Sequence, residues 1–560
     1  MVAGSNSIES ADARGNLPPL VAAMARPEFY PERPERVEFI QTHISYVFLT
    51  DSYVYKVKKA VRFPFIDCTT LQRRRLLCHE EVRLNRRLAS TVYLGILPIR
   101  RTPAGFELLA SSEADAGDAV EYAVHMRRLP HERMLDQMVQ RHEALPQDLR
   151  TIAQRINEFH FRAAAANAWM YGSAAAVHKL ICGNLAGAAQ FTGKIFDPAD
   201  LDAIDKYNRR FIETHWELLN QRARGGRVRE GHGDLRCEHI CMDTQPQIFD
   251  CVEFSERLRY GDVASEVAFL AMDLDRLAAH GLAAELVEAY ASASGDRDLA
   301  TLIPFYQCHR AVVRAKVDAL KSVAAEVPEP ERIRARDSAR DYLSLARRYL
   351  DPIEPAMVVV FGLAGTGKST LARALSRRLG FDLISSDVIR KQLAGIAPTS
   401  RAGAEYGSGI YGENFTRRTY LTLLAEAESR LRKSRGVILD ATFRHADERR
   451  LAIDIAARAA VGVLFIECRA PAEIALTRIA EREHRAGEIS DANGAIYARQ
   501  VKDFEAPNEI PEESRLTVDT SADFEQAVAA VIRALTTLSA PATPTRNDQR
   551  KSLRQLLNRL

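Results

Sequence analysis

The sequence predicts two domains, an α+β one followed by an α/β one, and three observations carry that expectation. At 560 residues the chain exceeds the roughly 250–300 residues at which a single hydrophobic core stops growing. The proline-rich break Asp351-Pro352-Ile353-Glu354-Pro355 ends the helical run DSARDYLSLARRYL and precedes a new strand. The patterning also changes at that break. Before it, the extended segments ISYVFL and YVYKVKK give way to helical stretches; after it, the apolar runs MVVVFG, VILDAT and VLFIE alternate with helices, as parallel strands joined by crossover helices do.

The expected boundaries are residues 1–25 without a fixed fold, a first domain over 26–350, a joint at 351–356, a second domain over 357–538 and a flexible basic tail over 539–560. The composition, 46% hydrophobic and 27% charged, is that of an ordinary globular chain. A net charge of +3 makes no general electrostatic case for nucleic acid and suits small anionic ligands as well. Eight scattered cysteines point to a reducing compartment. The N-terminal residues lack a basic segment followed by an apolar run, and no stretch reaches about 18 apolar residues, so a cytoplasmic protein is expected.

In the first half, chemistry concentrates in REGHGDLRCEHICMDTQPQIFDCVEF, where HGDL spans His232 to Leu235 and Asp250 follows a short apolar strand sixteen residues after Asp234. A loop acid joined by a hairpin to a second acid divides two tasks. One carboxylate orients an acceptor hydroxyl while the other holds Mg²⁺ on ATP. His160, in INEFHFRA, is expected to be a core histidine.

In the second half, GLAGTGKST at Gly362 to Thr370 closes an apolar strand and opens an amphipathic helix. Gly362, Gly365 and Gly367 let the backbone wrap a phosphate chain, and the amides through Thr366 and Thr370 face the anion at a helix N-terminus. Lys368 reaches the terminal phosphates and the Ser369 hydroxyl ligates Mg²⁺. GVILDATF ends a strand on Asp440, placed to hold the Mg²⁺ shell. LISSDVIRKQL sets Asp387 and Arg390 three apart at a strand-to-helix junction, where a carboxylate can take a hydroxyl proton; the alternative is a capping Asp beside a solvated Arg. Arg478, Arg482 and Arg485 fall at helical spacing on a cationic face, with Arg478 and Arg482 favoured as a lid over phosphates.

Two resemblances follow from these residues. The ordered set GxxxxGKS, D-x-x-R, strand-DAT and arginine-bearing helix over about 357–535 resembles the small P-loop kinases related to gluconate kinase and to the 5′-kinase domain of polynucleotide kinase. That resemblance implies a parallel P-loop NTPase sheet with helices on both faces. It also implies Lys368 and Ser369 on ATP-Mg²⁺, Asp387 as the base, Arg390 on the acceptor and Arg478 at the lid. The HGDL segment over about 30–345 resembles the aminoglycoside phosphotransferase and choline kinase family, and so implies a protein-kinase-like fold. By that resemblance Asp234 is the base, Asp250 the metal aspartate, Lys56 in VYKVKK the strand lysine on ATP and Glu81 in HEEVRLNRRL its helix partner. Lys58, on the same side of the strand, rivals Lys56. The pattern departs at His239, which stands at a metal position where the family carries Asn, and the segment ISYVFLTDSYVYK shows no glycine-rich loop. Together the two halves resemble a bacterial class of two-domain kinases. The expectation is an ATP- and Mg²⁺-dependent phosphotransferase acting on a small-molecule hydroxyl acceptor. The alternatives are an ATP-switched regulatory protein with an N-terminal pseudokinase, or a nucleic-acid 5′-hydroxyl kinase.

Overall fold

The computed structural model describes residues 17–63, 66–110, 117–163, 167–324, 327–350, 354–397, 409–433, 435–483, 493–536 and 538. The chain forms two compact units, the second comprising residues 340–560 together with 140–143 and 274–283. Among the described residues, no helix is long and apolar enough to cross a membrane.

The first unit begins earlier than expected. Residues Pro19–Met24 form helix α1, although the segment's small and polar composition suggested no fixed fold. Val21 and Met24 are buried, and the Tyr30 hydroxyl donates to the Met24 carbonyl at 2.6 Å, so two apolar side chains suffice to dock the turn. A six-stranded sheet follows, built from β1 (Glu38–Gln41), β2 (Ser45–Leu49), β3 (Tyr53–Lys58), β4 (Tyr93–Thr102), β5 (Gly105–Leu108) and β6 (Ala119–Arg127), in the order β1-β2-β3-β6-β4-β5. Every pairing in it is antiparallel. Helix α2 (Leu71–Asn85) starts where the Thr70 side chain accepts the Arg73 amide, and packs on this sheet. Helices α3 (Pro146–Arg162) and α4 (Val263–Arg276) flank the loop that carries Asp234. A hairpin of β7 (Ile240–Met242) and β8 (Pro246–Ile248) leads from that loop to Asp250.

The second unit is a five-stranded sheet of β9 (Ala356–Phe361), β10 (Asp382–Ser385), β11 (Val437–Asp440), β12 (Gly462–Arg469) and β13 (Arg515–Asp519), in the order β10-β11-β9-β12-β13. All four pairings are parallel. Strand β9 is buried on both faces: Met357, Val359 and Phe361 enter one core, Ala356, Val358 and Val360 the other. Helices α7 (Glu413–Leu431) and α8 (Ala446–Arg458) cover the first face; α5 (Lys368–Leu379) and α11 (Phe524–Thr536) cover the second. Helix α6 (Ser386–Leu393) leaves β10, while α9 (Ala472–Glu483) and α10 (Gly494–Asp503) lie between β12 and β13. Helix α5 is bounded by glycines in the left-handed region, Gly367 before it and Gly380 after it.

Candidate functional site

In the first unit, strand alternation sends Lys56 and Lys58 to one side of β3, facing fully buried Glu81 on α2. Lys56 Nζ lies 2.8 Å from Glu81 Oε1 and 2.8 Å from Asp250 Oδ1. Lys58 Nζ lies 2.6 Å from the other oxygen, Glu81 Oε2, and also pairs with Glu253. The two lysines thus share one glutamate, an oxygen each. Asp250, Lys56, Glu81, Lys58 and Glu253 form a buried chain of alternating charge, tolerable because each member touches an opposite charge. Burial opposes the Lys56 ammonium, yet Asp250 and Glu81 hold its pKa well above the usual range. The same contacts overcome burial at Asp250 and keep its carboxyl well below its usual value. Glu253 belonged to no motif; only its contact with Lys58 brings it in.

Asp234 follows Gly233, whose φ is +86° and where an added Cβ would meet Leu258 O at 3.0 Å and Val252 Cβ at 3.2 Å. Glycine is therefore required there. The Asp234 carboxylate accepts two hydrogen bonds from Arg236, from Nε at 3.1 Å and Nη2 at 3.0 Å. Desolvation opposes ionisation, but Arg236, His239 and Arg314 outweigh it and lower its pKa. His239 Nδ1 sits 2.8 Å from the Asp234 carbonyl, which can only accept, so Nδ1 carries the proton. Its Nε2 lies 3.4 Å from Arg236 Nη2 and 3.7 Å from Asp250 Oδ2. Burial, aided by Arg236, pushes the His239 pKa down to about 4, so a neutral imidazole stands between the two acids. Asp250 itself has φ +62°, a left-handed conformation that Asp tolerates better than most residues. His160 is buried as expected, 2.8 Å from both Glu266 Oε2 and the Tyr290 hydroxyl. The other oxygen of Glu266 accepts the Gly233 amide, so the core histidine also props the Asp234 loop.

In the second unit, Gly362, Gly365 and Gly367 take φ values of +135°, +76° and +80° as the loop wraps between β9 and α5. A side chain at Gly365 would strike the backbone of Ala475 on α9, so the loop is packed directly against the arginine-bearing helix. Lys368 Nζ rests 2.6 Å from the Leu363 carbonyl. Thr366 Oγ1 donates to the same oxygen at 2.8 Å, and Ser369 and Thr370 open α5 behind Lys368. The Ser369 side chain acts on the Asp440 carboxyl. Desolvation raises the Asp440 pKa, with Lys368 and Ser369 opposing. Desolvation also lowers that of Lys368, against the pull of Asp440. Asp440 pairs in register with Val360 of β9 and Ser385 of β10, so the strand ends that lead to the Lys368 loop and to Asp387 on α6 lie beside it. Asp387 acts electrostatically on Lys368 and Asp440. The hard oxygen pair of Ser369 and Asp440 suits Mg²⁺.

The arginines divide. Arg482 acts on Lys368, whereas Arg478 donates to Thr520 Oγ1 at 3.0 Å and to Thr520 O at 2.9 Å. Thr520 Oγ1 in turn donates to Thr366 O at 2.8 Å, so Arg478 buttresses the phosphate loop from outside. Arg390 is buried, donating to Ile410 O at 2.7 Å and Thr416 Oγ1 at 3.0 Å, and lies over the Tyr411 ring at 5.1 Å. It anchors the segment entering α7. Arg485 lies outside the described residues. Gln500, absent from the sequence-based set, accepts the Ala364 amide at 2.8 Å.

The AAA domain family matches residues 357–507. The uncharacterized protein Rv2004c of Mycobacterium tuberculosis is 32% identical over 464 residues, covering 82% of this chain and 89% of the relative. The chain belongs to that protein's family. A shikimate kinase of Paramagnetospirillum magneticum is 28% identical over 172 residues, 29% of this chain and 81% of the relative. A choline/ethanolamine kinase family protein from Mesorhizobium loti overlays 59% of this chain and 99% of its own length at 11% identity and a TM-score of 0.33, too slight a likeness to carry residue roles. In this chain, the phosphate loop and the Asp440 strand sit in the portion matched by the AAA domain family.

Proposed function

We propose that the chain is an ATP- and Mg²⁺-dependent phosphotransferase acting on a small-molecule hydroxyl acceptor, with transfer in the second unit. The observation that carries this reading is the register that sets Asp440 beside the strand ends leading to the glycine loop, with Lys368 and Ser369 at a helix N-terminus, and to Asp387. Likeness to a shikimate kinase supports a small-molecule acceptor. In this reading the loop amides hold the β-phosphate and Lys368 moves from the Leu363 carbonyl onto the γ-phosphate. Asp387 accepts the acceptor's hydroxyl proton as the new O–P bond forms and the bond to ADP breaks. Ser369 and Asp440 would hold Mg²⁺, which neutralises charge on the phosphates when bound. Arg482 faces the same charge. Most of the rate comes from positioning and electrostatics.

We infer that the first unit, expected over 26–350, is a second kinase-like site in a protein-kinase-like fold, with Lys56 and Glu81 on ATP, Asp250 and His239 at the metal and Asp234 as base. The two hydrogen bonds from Arg236 to Asp234 favour a second reading for this unit, a regulatory nucleotide sensor, because they occupy the base. ATP consumption with a panel of sugars and other hydroxyl compounds, for wild type, Lys368→Ala and Asp234→Ala, separates the two. Acceptor-dependent turnover lost in Lys368→Ala alone makes the second unit the enzyme and the first a sensor. Loss in Asp234→Ala makes the first unit a working kinase. No acceptor-dependent turnover in wild type overturns the proposal.

A further inference from the structure

We propose that Gln500 is a positioning residue for the phosphate loop, acting through the Leu363–Ala364 peptide on which Lys368 rests. The two ends of that single peptide unit carry the argument. Its carbonyl accepts from Lys368 Nζ at 2.6 Å and from Thr366 Oγ1 at 2.8 Å, while its N–H donates to Gln500 Oε1 at 2.8 Å. A planar trans peptide points its N–H and C=O in opposite directions. Gln500 therefore grips from behind the same plane whose front supports the lysine. Donors on the carbonyl and an acceptor on the amide polarise the unit in one sense, so the bonds reinforce one another.

The loop cannot fix this plane by itself. Gly362 and Gly365 flank it with φ of +135° and +76°, conformations that leave the backbone its widest freedom. A flip of the plane would turn the Ala364 N–H toward the ammonium and remove the lysine's resting oxygen. An acceptor from outside the loop is needed, and Gln500 is well placed to be a rigid one. Helix α10 is capped by Asn493, whose Oδ1 accepts the Ile496 amide at 3.0 Å. Just past its other end, Phe504 stacks on Phe361, the last residue of β9, with ring centroids 6.4 Å apart and planes within 6°. The Glu505 amide is then tied to Arg444 O at 2.9 Å. The strand that enters the loop and the helix that holds it thus share one aromatic contact.

The inference rests on the reading of Lys368 as a phosphate ligand, and the test separates the two. Full-length wild type, Gln500→Leu and Gln500→Glu are compared by hydrogen exchange of peptides spanning 357–370 without ligand, and by MgATP affinity and turnover. Gln500→Leu removes the acceptor at similar size. The loop is expected to exchange roughly five- to tenfold faster and the Kd and KM for MgATP to rise by about the same factor, with kcat at saturating ATP held within about twofold. Gln500→Glu keeps an acceptor for Ala364 and restores the exchange, while its added negative charge opposes the phosphates, so rescue is read from exchange alone. Unchanged loop exchange in Gln500→Leu, or no rescue by Gln500→Glu, overturns the proposal. Altered exchange with rescue in a protein whose wild type binds no MgATP upholds the hold on the loop and overturns the nucleotide reading instead.

Discussion

The two candidate sites hold charge in opposite ways. In the first unit, Lys56, Lys58, Glu81, Asp250 and Glu253 are side chains from three separated segments that neutralise one another in contact. In the second, one continuous loop offers backbone amides, Lys368 opens the helix after it and Asp440 ends the neighbouring strand β11, and desolvation pushes Lys368 down and Asp440 up. A closed set of ion pairs is stable when empty, whereas a loop with unmet charge is built to be completed by a ligand. The lesson is that buried charge satisfied within the protein speaks for structure as much as for chemistry, and unsatisfied charge speaks for a ligand.

The largest expected effect tests the loop. Lys368→Ala should lower acceptor-dependent ATP turnover by roughly a hundredfold or more while leaving the unfolding of the first unit unchanged. Turnover within tenfold of wild type would remove the second unit from the chemistry. Next comes the shared glutamate: Glu81→Ala leaves Lys56 with Asp250 and Lys58 with Glu253 as opposite charges, and should destabilise the first unit by about 2–3 kcal/mol in urea unfolding. A loss below about 1 kcal/mol would show that the five charges are not coupled in solution.

The pH dependence should separate the units by sign. Glu81 and Asp250 titrate below their ordinary values when folded, so they stabilise above about pH 4 and lose that contribution only as pH falls through the lowered folded values. Asp440 is displaced upward, so its contribution is present below about pH 4 and is lost as pH rises through its folded value. In Mg²⁺-free calorimetry the second unit's midpoint should gain from Asp440 as pH falls toward about 4, and Asp440→Asn should remove that gain. The smallest effect belongs to Arg478→Ala, which removes two hydrogen bonds to Thr520 and should weaken MgATP binding by about two- to tenfold in titration calorimetry. A hundredfold loss would return Arg478 to the phosphates themselves.

Much of this was legible in the chain. The β9 strand, its loop and helix α5 are contiguous, so glycine spacing and apolar periodicity expose them, and Asp440 is betrayed by the four buried residues of its strand. The Asp234–Asp250 pair was legible because a short hairpin joins the two acids. Helical spacing sets Arg478 on a cationic face, and Arg390 stands one crossover after the phosphate loop. Spacing fixes a face of the helix but not what packs on it, and here Ile410, Thr416 and Tyr411 take one arginine and Thr520 the other. The helix at Pro19–Met24 was missed because two buried side chains, Val21 and Met24, outweigh a weak local pattern.

The sequence by itself determined the order of strands and helices in the second unit, the phosphate loop and the acids at the ends of short strands, since each depends on neighbours a few residues away. Only the tertiary structure decided that two lysines divide Glu81, that Glu253 completes their chain and that Gln500, 136 residues from Ala364, grips the loop. Contacts between distant segments are set by how whole elements pack, and no local spacing encodes them.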